Sequence, residues 1–149
     1  MYNFFMDFAQ KNDIVTIHYS IAFTNGKIFD STFNKDPLRF KLGHNIFIQG
    51  IEETVCGMFI SQTIKKTLPS KKLFGPKKKD LIQQIPLKDV PDHINKNIGQ
   101  RIEIGTNPPL KATITDISES TITIDANPIQ TGKDMIVTIE LIDIFREQQ

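Results

Sequence analysis

The fold is decided by residues 14–32, which read IVTIHYSIAFTNGKIFDST. Apolar side chains take the odd positions from Val15 to Phe23 and mostly polar ones take the even positions, which is the period-two pattern of a strand with one buried face. Asn25-Gly26 then supplies the residues that a tight hairpin turn prefers. The sequence therefore predicts an antiparallel hairpin whose second arm begins at Ile28.

The second arm carries a carboxylate, Asp30, directly after the large aromatic Phe29. By residue type alone Asp30 is a candidate acid or base, a candidate metal ligand, or a hydrogen-bonding wall of an apolar cavity. The three histidines lie far apart along the chain, and the single cysteine has no C-x-x-C partner. Neither a metal site nor a cofactor is therefore predicted, and no nucleophile elbow is visible.

A short helix is predicted over residues 49–56, because apolar residues recur there at helical spacing and Gly57 follows as a C-terminal cap. In this helix Glu52 and Glu53 are expected to face outward. Cys56 is interpreted as a small core residue rather than a reactive thiol.

Two further strands are predicted in the same lobe. Residues 63–68 alternate and stop at Pro69. Residues 134–145 are apolar at most odd and several even positions, which is typical of a central strand buried on both faces. Because a central strand needs earlier strands as partners, the chain is expected to return to its first lobe for this segment.

Between these strands the sequence consists of short segments with their own turn signals, and a β-rich insert is predicted over residues 76–126. Short strands are expected at 100–104, 110–117 and 121–125, and residues 88–94 have helical character. The predicted division is therefore a discontinuous domain of residues 1–75 and 127–149, interrupted by this insert.

The composition narrows the class of protein. With 149 residues and 39% hydrophobic content the chain can bury a core, and a net charge of +1 gives no global attraction to DNA or to an anionic membrane. One cysteine, no secretory leader pattern and no apolar run near ~20 residues lead us to expect a cytoplasmic location.

Positive charge is nevertheless concentrated locally between Lys65 and Lys79. A solvated loop is the favoured interpretation, because no aromatic strand interleaved with arginine accompanies it. Ribosome or RNA association through this patch stays open. The patch contains Lys65, Lys66, Lys71, Lys72, Lys77, Lys78 and Lys79.

Taken in order, several segments resemble the FKBP-type peptidyl-prolyl isomerases, and within them the SlyD/SlpA-like subgroup. The resemblance runs from about Asn12 to Phe145 and is far more specific as a combination than in any piece. It rests on VTIHY at 15–19, GKIFDS at 26–31, FKLG at 40–43, IQGIE at 48–52, LFG at 73–75, NPIQTG at 127–132 and VTIEL at 137–141.

The resemblance implies an α+β fold, in which an antiparallel sheet wraps around a short helix. It also implies that the insert is an insert-in-flap domain that binds unfolded chains. Catalysis in such a family needs neither metal nor cofactor, and the Ile48 N–H is expected to donate to a substrate carbonyl. The implied prolyl pocket is lined by Tyr19, Phe29, Asp30, Leu38, Phe47, Ile48, Ile51, Phe74 and Val137.

Some positions depart from the family pattern and predict modest activity. Phe74 lacks a tyrosine hydroxyl, Ile51 stands for a tryptophan, and Val137 and Leu38 are smaller than the usual phenylalanines; Pro128 stands where a histidine is common. The expected partners are unfolded or nascent chains and proline-containing peptides, bound by a monomer. A chaperone-like binding module without turnover is the main alternative.

Overall fold

The fold was obtained as a computed structural model, which describes residues 7–147. The chain divides into two compact units: one holds the residues up to Pro76 and those from Gly132 onward, and the other is Lys77–Thr131. Within the described residues no helix is long and apolar enough to cross a membrane.

The first unit is a five-stranded antiparallel sheet with one short helix. The strand order is β2-β1-β9-β4, and β3 pairs with β1 beside β2. Its elements are β1 (Ile14–Phe23), β2 (Ile28–Ser31), β3 (Leu38–Lys41), α1 (Gln49–Val55), β4 (Thr63–Leu68), the 3₁₀ turn Ser70–Lys72 and β9 (Met135–Phe145).

Alternation in β1 builds the core of this unit. The odd side chains from Val15 to Ile21 are almost fully buried, and the long ladder from β1 to β9 sets the inner residues of both strands on one face. The predicted strands at 14–23 and 63–68 and the antiparallel sheet with its short helix are thereby confirmed.

The last strand corrects one expectation, because β9 is central in the sheet but is not buried on both faces. From Met135 to Leu141 its odd residues are fully buried, whereas Ile142 is 36% exposed. The register shifts there: Ile17 pairs with Leu141 and Thr16 with Asp143, which leaves Ile142 as an extra residue. This β-bulge moves the inward positions from odd to even numbers, so apolar residues occur in both phases of the sequence.

The second unit is a four-stranded antiparallel sheet in the order β5-β8-β7-β6 around an isoleucine-rich core. Its strands are β5 (Ile82–Pro86), β6 (Arg101–Ile104), β7 (Leu110–Ile117) and β8 (Thr121–Asp125). The strand β5 was not predicted. The expected helical character of 88–94 was wrong, since only the 3₁₀ turns Lys79–Leu81 and Leu87–Asp89 occur in this part.

A hydrogen-bond cluster closes this second unit at its ends. The buried Asp125 carboxylate accepts hydrogen bonds from the Lys77 ammonium and from the backbone and side-chain N–H groups of Asn127. Asn127 also exchanges two hydrogen bonds with the backbone of Lys78. These contacts keep Asn127 in the second unit, whereas the sequence pattern assigned residues 127–131 to the first domain.

Candidate active site

A β-bulge in the first hairpin brings two consecutive side chains to the same face of the sheet. Ile21 pairs with Asp30 and Ala22 pairs with Ile28, so Phe29 is the extra residue in β2. Asp30 therefore lies on the inner face with Ile21, and Phe29 also packs against the core. Without the bulge, neighbouring residues of a strand would point to opposite faces.

Both oxygens of the Asp30 carboxylate accept hydrogen bonds from within the protein. The Tyr19 hydroxyl donates to Oδ2 over 2.8 Å, and the backbone N–H of Ser31 donates to Oδ1 over 2.9 Å. Burial, together with the neighbouring Asp30, raises the pKa of Tyr19 to about 12. At neutral pH the Tyr19 hydroxyl therefore stays protonated and donates a hydrogen bond to Asp30.

Aromatic rings surround this Tyr19–Asp30 pair in two sets. The Phe47 ring lies between Tyr19 and Phe40, at centroid distances of 5.0 and 6.0 Å. The Phe29 ring makes edge-to-face contacts at 5.9 Å with Phe23 and at 5.3 Å with Phe74. Such geometry adds specific attraction to the burial of apolar area.

The predicted site residues differ in how far they reach the surface. Ile51 and Val137 are fully buried, and Tyr19 is 7% exposed. These three therefore lie behind the accessible surface of the site. The remaining predicted residues are half-buried and present the accessible surface: Phe29, Asp30, Leu38, Phe47, Ile48 and Phe74. All eight apolar members pack in one cluster, and Asp30 joins them through Tyr19.

A depression of about 280 Å³ is lined by Phe29 and Asp30 together with Ile28, Ser31, Asn34 and Lys35. Within residues 7–147, no group of three or more His, Cys, Asp or Glu side chains is placed to hold a metal ion.

The helix α1 differs from its prediction at two positions. Glu52 is not on the outer face: it is 6% exposed and accepts hydrogen bonds from the N–H groups of Gly43 and Phe47. Cys56 is exposed and is not a core residue. The helix ends at Val55, Cys56 already has an extended backbone, and the following Gly57 has a φ of +95°. Only Glu53 faces solvent as predicted.

Ile48 is the N-cap residue of this helix and has an extended backbone. Its carbonyl oxygen accepts hydrogen bonds from the N–H groups of Ile51 and Glu52. No described group accepts a hydrogen bond from the Ile48 N–H, which leaves this donor for a ligand carbonyl.

Two residues around the site were missed in the sequence. Phe23 ends the alternating strand, and its odd position was the signal that it shares the inner face. The role of Glu52 had no comparable signal, since helical spacing alone sets it beside Glu53.

The basic patch is partly neutralised. Lys72 pairs with Glu53 at 2.9 Å, and Lys77 pairs with Asp125 at 2.7 Å. Of the two carboxylates, Asp125 is buried and Glu53 is exposed, so only the second pair has a buried partner.

Fold and site together define an α+β protein with an aromatic-walled apolar site and a hydrogen-bonded carboxylate. A family model described as FKBP-type peptidyl-prolyl cis-trans isomerase matches residues 6–142. The chain therefore belongs to the FKBP-type peptidyl-prolyl cis-trans isomerases, and its antiparallel sheet with one short helix fits that fold.

Similar proteins come from bacteria and from an archaeon. The FKBP-type peptidyl-prolyl cis-trans isomerase SlyD of Pasteurella multocida is 25% identical, covering 89% of this chain and 67% of the relative. The SlyD protein of Vibrio cholerae is 24% identical over 91% of this chain and 68% of its own length. A short-type peptidyl-prolyl cis-trans isomerase of Methanocaldococcus jannaschii is 26% identical over 93% and 96%. The resemblance to the SlyD-like group is thereby confirmed.

Proposed function

We propose that this enzyme isomerises X-Pro bonds in unfolded or nascent chains by non-covalent catalysis at the site around Tyr19 and Asp30. The observation that carries the proposal is that the one carboxylate of an otherwise apolar site has both oxygens occupied by donors. A carboxylate held in this way serves as a fixed wall and not as a proton carrier.

The chemistry of the reaction suits such a site. Rotation about an X-Pro bond passes through a twisted amide over a barrier of ~20 kcal/mol, and no covalent bond breaks. The twisted amide loses the polar resonance form, so an apolar, water-poor site favours it over the planar ground state. Each ~1.4 kcal/mol of such preference gives about tenfold in rate.

Named groups have distinct tasks in this mechanism. The rings of Phe29, Phe47 and Phe74 contact the prolyl ring and exclude water. The Ile48 N–H donates to a substrate carbonyl and orients the chain. The Tyr19 hydroxyl, which lies behind the accessible surface, fixes the Asp30 carboxylate at that surface.

We expect modest turnover, because two of the predicted pocket residues do not reach the surface. Ile51 and Val137 are fully buried, so neither adds a face for the substrate to contact. Phe74 has no hydroxyl to donate to the substrate backbone. Both features reduce the interactions that are available to the twisted amide.

We further propose that the second unit is the insert-in-flap domain and holds unfolded chains. Its support is apolar exposure: Ile98 is 66% exposed, Leu110 is 47% and Ile82 is 39%. Ile82 and Leu110 lie on strands and Ile98 lies in a turn, and each offers apolar surface to a bound chain. A binding module without turnover remains the second candidate function for this reason.

The partners and setting belong to the same proposal. We propose a cytoplasmic monomer that meets nascent chains, which agrees with one cysteine and a near-neutral charge. RNA or ribosome binding gains no support from the pairing of Lys72 and Lys77 with carboxylates.

A proline-limited refolding assay tests the enzyme. The chain has no tryptophan, so the fluorescence of a tryptophan-containing substrate protein reports substrate refolding alone. We expect acceleration at substoichiometric enzyme. If refolding is not accelerated even at equimolar protein, while a permanently unfolded chain still binds, the second candidate function replaces the first.

The role of the second unit needs a separate variant. Ile98→Ser changes an exposed side chain and is expected to weaken binding of a permanently unfolded chain, while turnover of a short proline peptide is retained. Glu119→Gln, another exposed change in the same unit, is the matched control. Unchanged binding in the double variant Ile98→Ser, Leu110→Ser would contradict the assignment of the second unit as the domain that holds unfolded chains.

A further inference from the structure

Glu52 is a buried carboxylate that the mechanism above does not use. It lies in the first turn of α1 and is 6% exposed. Its carboxylate accepts hydrogen bonds from the Gly43 N–H at 2.9 Å and from the Phe47 N–H at 2.8 Å. No described lysine or arginine pairs with it. Burial of an ionised group is costly unless hydrogen bonds compensate, and here two backbone donors do so.

The loop that Glu52 holds has few other ties. Besides Glu52, the described polar contacts of residues 43–47 are a turn at Leu42–Gly43 and an exposed hydrogen bond between His44 Nε2 and Asn12 Oδ1 at 2.7 Å. Gly43 and Asn45 have positive φ, and Ile46 is 59% exposed. One side chain therefore anchors both ends of this loop, and its loss would return conformational freedom to the backbone between them.

The loop leads directly into the substrate-facing groups. Its last residue, Phe47, packs its ring at 5.0 Å from Tyr19. The next N–H is that of Ile48, for which no described acceptor exists. The position of this ring and this donor depends on where the loop ends.

We propose that Glu52 is a positioning residue that pre-organises Phe47 and the Ile48 N–H for the substrate; the inference rests on the proposed function of this site. Glu52 contacts the loop and not the substrate. A loop that is released from Glu52 samples several positions, and only a fraction of molecules then presents the donor and the ring correctly.

This division of roles predicts a particular kinetic signature. When only a fraction of molecules can bind, the apparent dissociation constant rises by the inverse of that fraction. For Glu52→Gln we expect KM to rise by about tenfold or more, whereas kcat changes by less than about twofold because the bound state restores the loop. Glutamine keeps the shape but offers one acceptor oxygen and sets an NH₂ group against a backbone N–H.

The neighbouring Glu53 supplies the matched control. It has the same chemistry, but its side chain is 51% exposed and bonds to Lys72 and Gln49 rather than to the loop. Glu53→Gln should leave KM, kcat and the thermal midpoint close to those of the wild type. A change in kcat at constant KM in Glu52→Gln, or an equal effect in both variants, would overturn the proposal.

Amide hydrogen exchange, read by NMR, tests the hold on the loop independently of catalysis. In Glu52→Gln the Gly43 and Phe47 amides should exchange about tenfold faster or more, while the Ile139 amide in the sheet is unchanged. Uniformly faster exchange across the unit would mean that Glu52 only stabilises the fold and would refute positioning.

Wild-type exchange keeps the proposal testable if the variant does not fold. The Gly43 and Phe47 amides should then be protected relative to those of Asn45 and Ile46, which have no described acceptor. Equal exchange at all four would overturn the proposal. If the wild type shows no isomerase activity, the proposed function fails, and the exchange pattern still decides whether Glu52 holds this loop.

Discussion

The hydrogen bond between Tyr19 and Asp30 can be removed with almost no change in shape. Tyr19→Phe deletes one oxygen, which lies 2.8 Å from Asp30 Oδ2. The ring keeps its contact with Phe47, and Asp30 keeps the Ser31 N–H on its other oxygen. Any effect of the substitution therefore reports this one bond.

The structure sets the expected size of the effect. A hydrogen bond to a charged group contributes about 1.5–3 kcal/mol. Tyr19 is buried, but Asp30 is half-buried, so water replaces part of the lost interaction. We expect a coupling free energy of about 1–1.5 kcal/mol in the stability of the fold. If the transition state for isomerisation is destabilised by the same amount, kcat/KM should fall by about tenfold.

A double-mutant cycle with Asp30→Ala, which removes the acceptor that asparagine would retain, measures this coupling. Urea unfolding, followed by circular dichroism, is recorded for the wild type, both single variants and the double variant. Isomerisation of a short proline peptide is measured on the same four proteins. A coupling below about 0.3 kcal/mol, within the usual scatter of additive sites, would show that the bond does not stabilise the site.

The same pair predicts a titration. With Tyr2→Phe as background, the phenolate absorbance should place the pKa of Tyr19 at about 12 instead of 10.0. Because the folded pKa is raised, the associated stability is present below pH 10 and is lost as pH rises towards 12. Asp30→Asn should lower this pKa only partly, since burial is the larger cause. A Tyr19 pKa near 10 in the folded wild type would contradict the geometry.

Two further changes test the packing of the first unit. Hydrogen bonds from Arg146 hold the pKa of the buried Asp13 below its usual 3.8. In urea unfolding at neutral pH, Asp13→Asn should therefore lower the free energy of unfolding by about 1.5–3 kcal/mol. The difference from the wild type should narrow as pH falls below 3.8, because protonation of Asp13 then removes the advantage of the wild type. A gap that stays constant at acid pH would count against the ion pair. Gly50→Ala would set its Cβ 2.8 Å from Leu68 Cδ1. Thermal unfolding should therefore show a loss of stability of about 1–3 kcal/mol, whereas the same substitution at an open helical position would gain up to about 1 kcal/mol. A stabilised variant would refute the close approach.

Local sequence patterns were sufficient wherever one periodicity persisted. The strands β1 and β4 have the predicted bounds, and α1 ends one residue before its predicted end, because alternation, helical spacing and a following glycine or proline act through neighbouring residues. The strand β5 was missed, since the two glutamines inside it and the proline at its end weaken the pattern that a strand normally shows.

Positions that depend on distant partners could not be predicted in this way. Glu52 and Glu53 have the same local signals, yet one carboxylate is buried against loop N–H groups and the other is in solvent. In β9 the apolar residues in both phases predict two buried faces, whereas the bulge at Ile142 brings Ile144 to the inner face and Ile136 is only half-buried on the other. In both cases the deciding contact comes from a segment that is remote in sequence or from the register of a partner strand.

The sequence by itself determined that this chain has an antiparallel hairpin beginning at Ile14, an apolar core and the motif order of the FKBP-type isomerases. These follow from side-chain periodicity and turn chemistry, which are local properties. Only the tertiary structure decided that Phe29 and Asp30, adjacent in a strand, both face inward. That outcome depends on one extra residue in the register between β2 and β1, and register is set by pairing across the sheet and not by the residues of one strand.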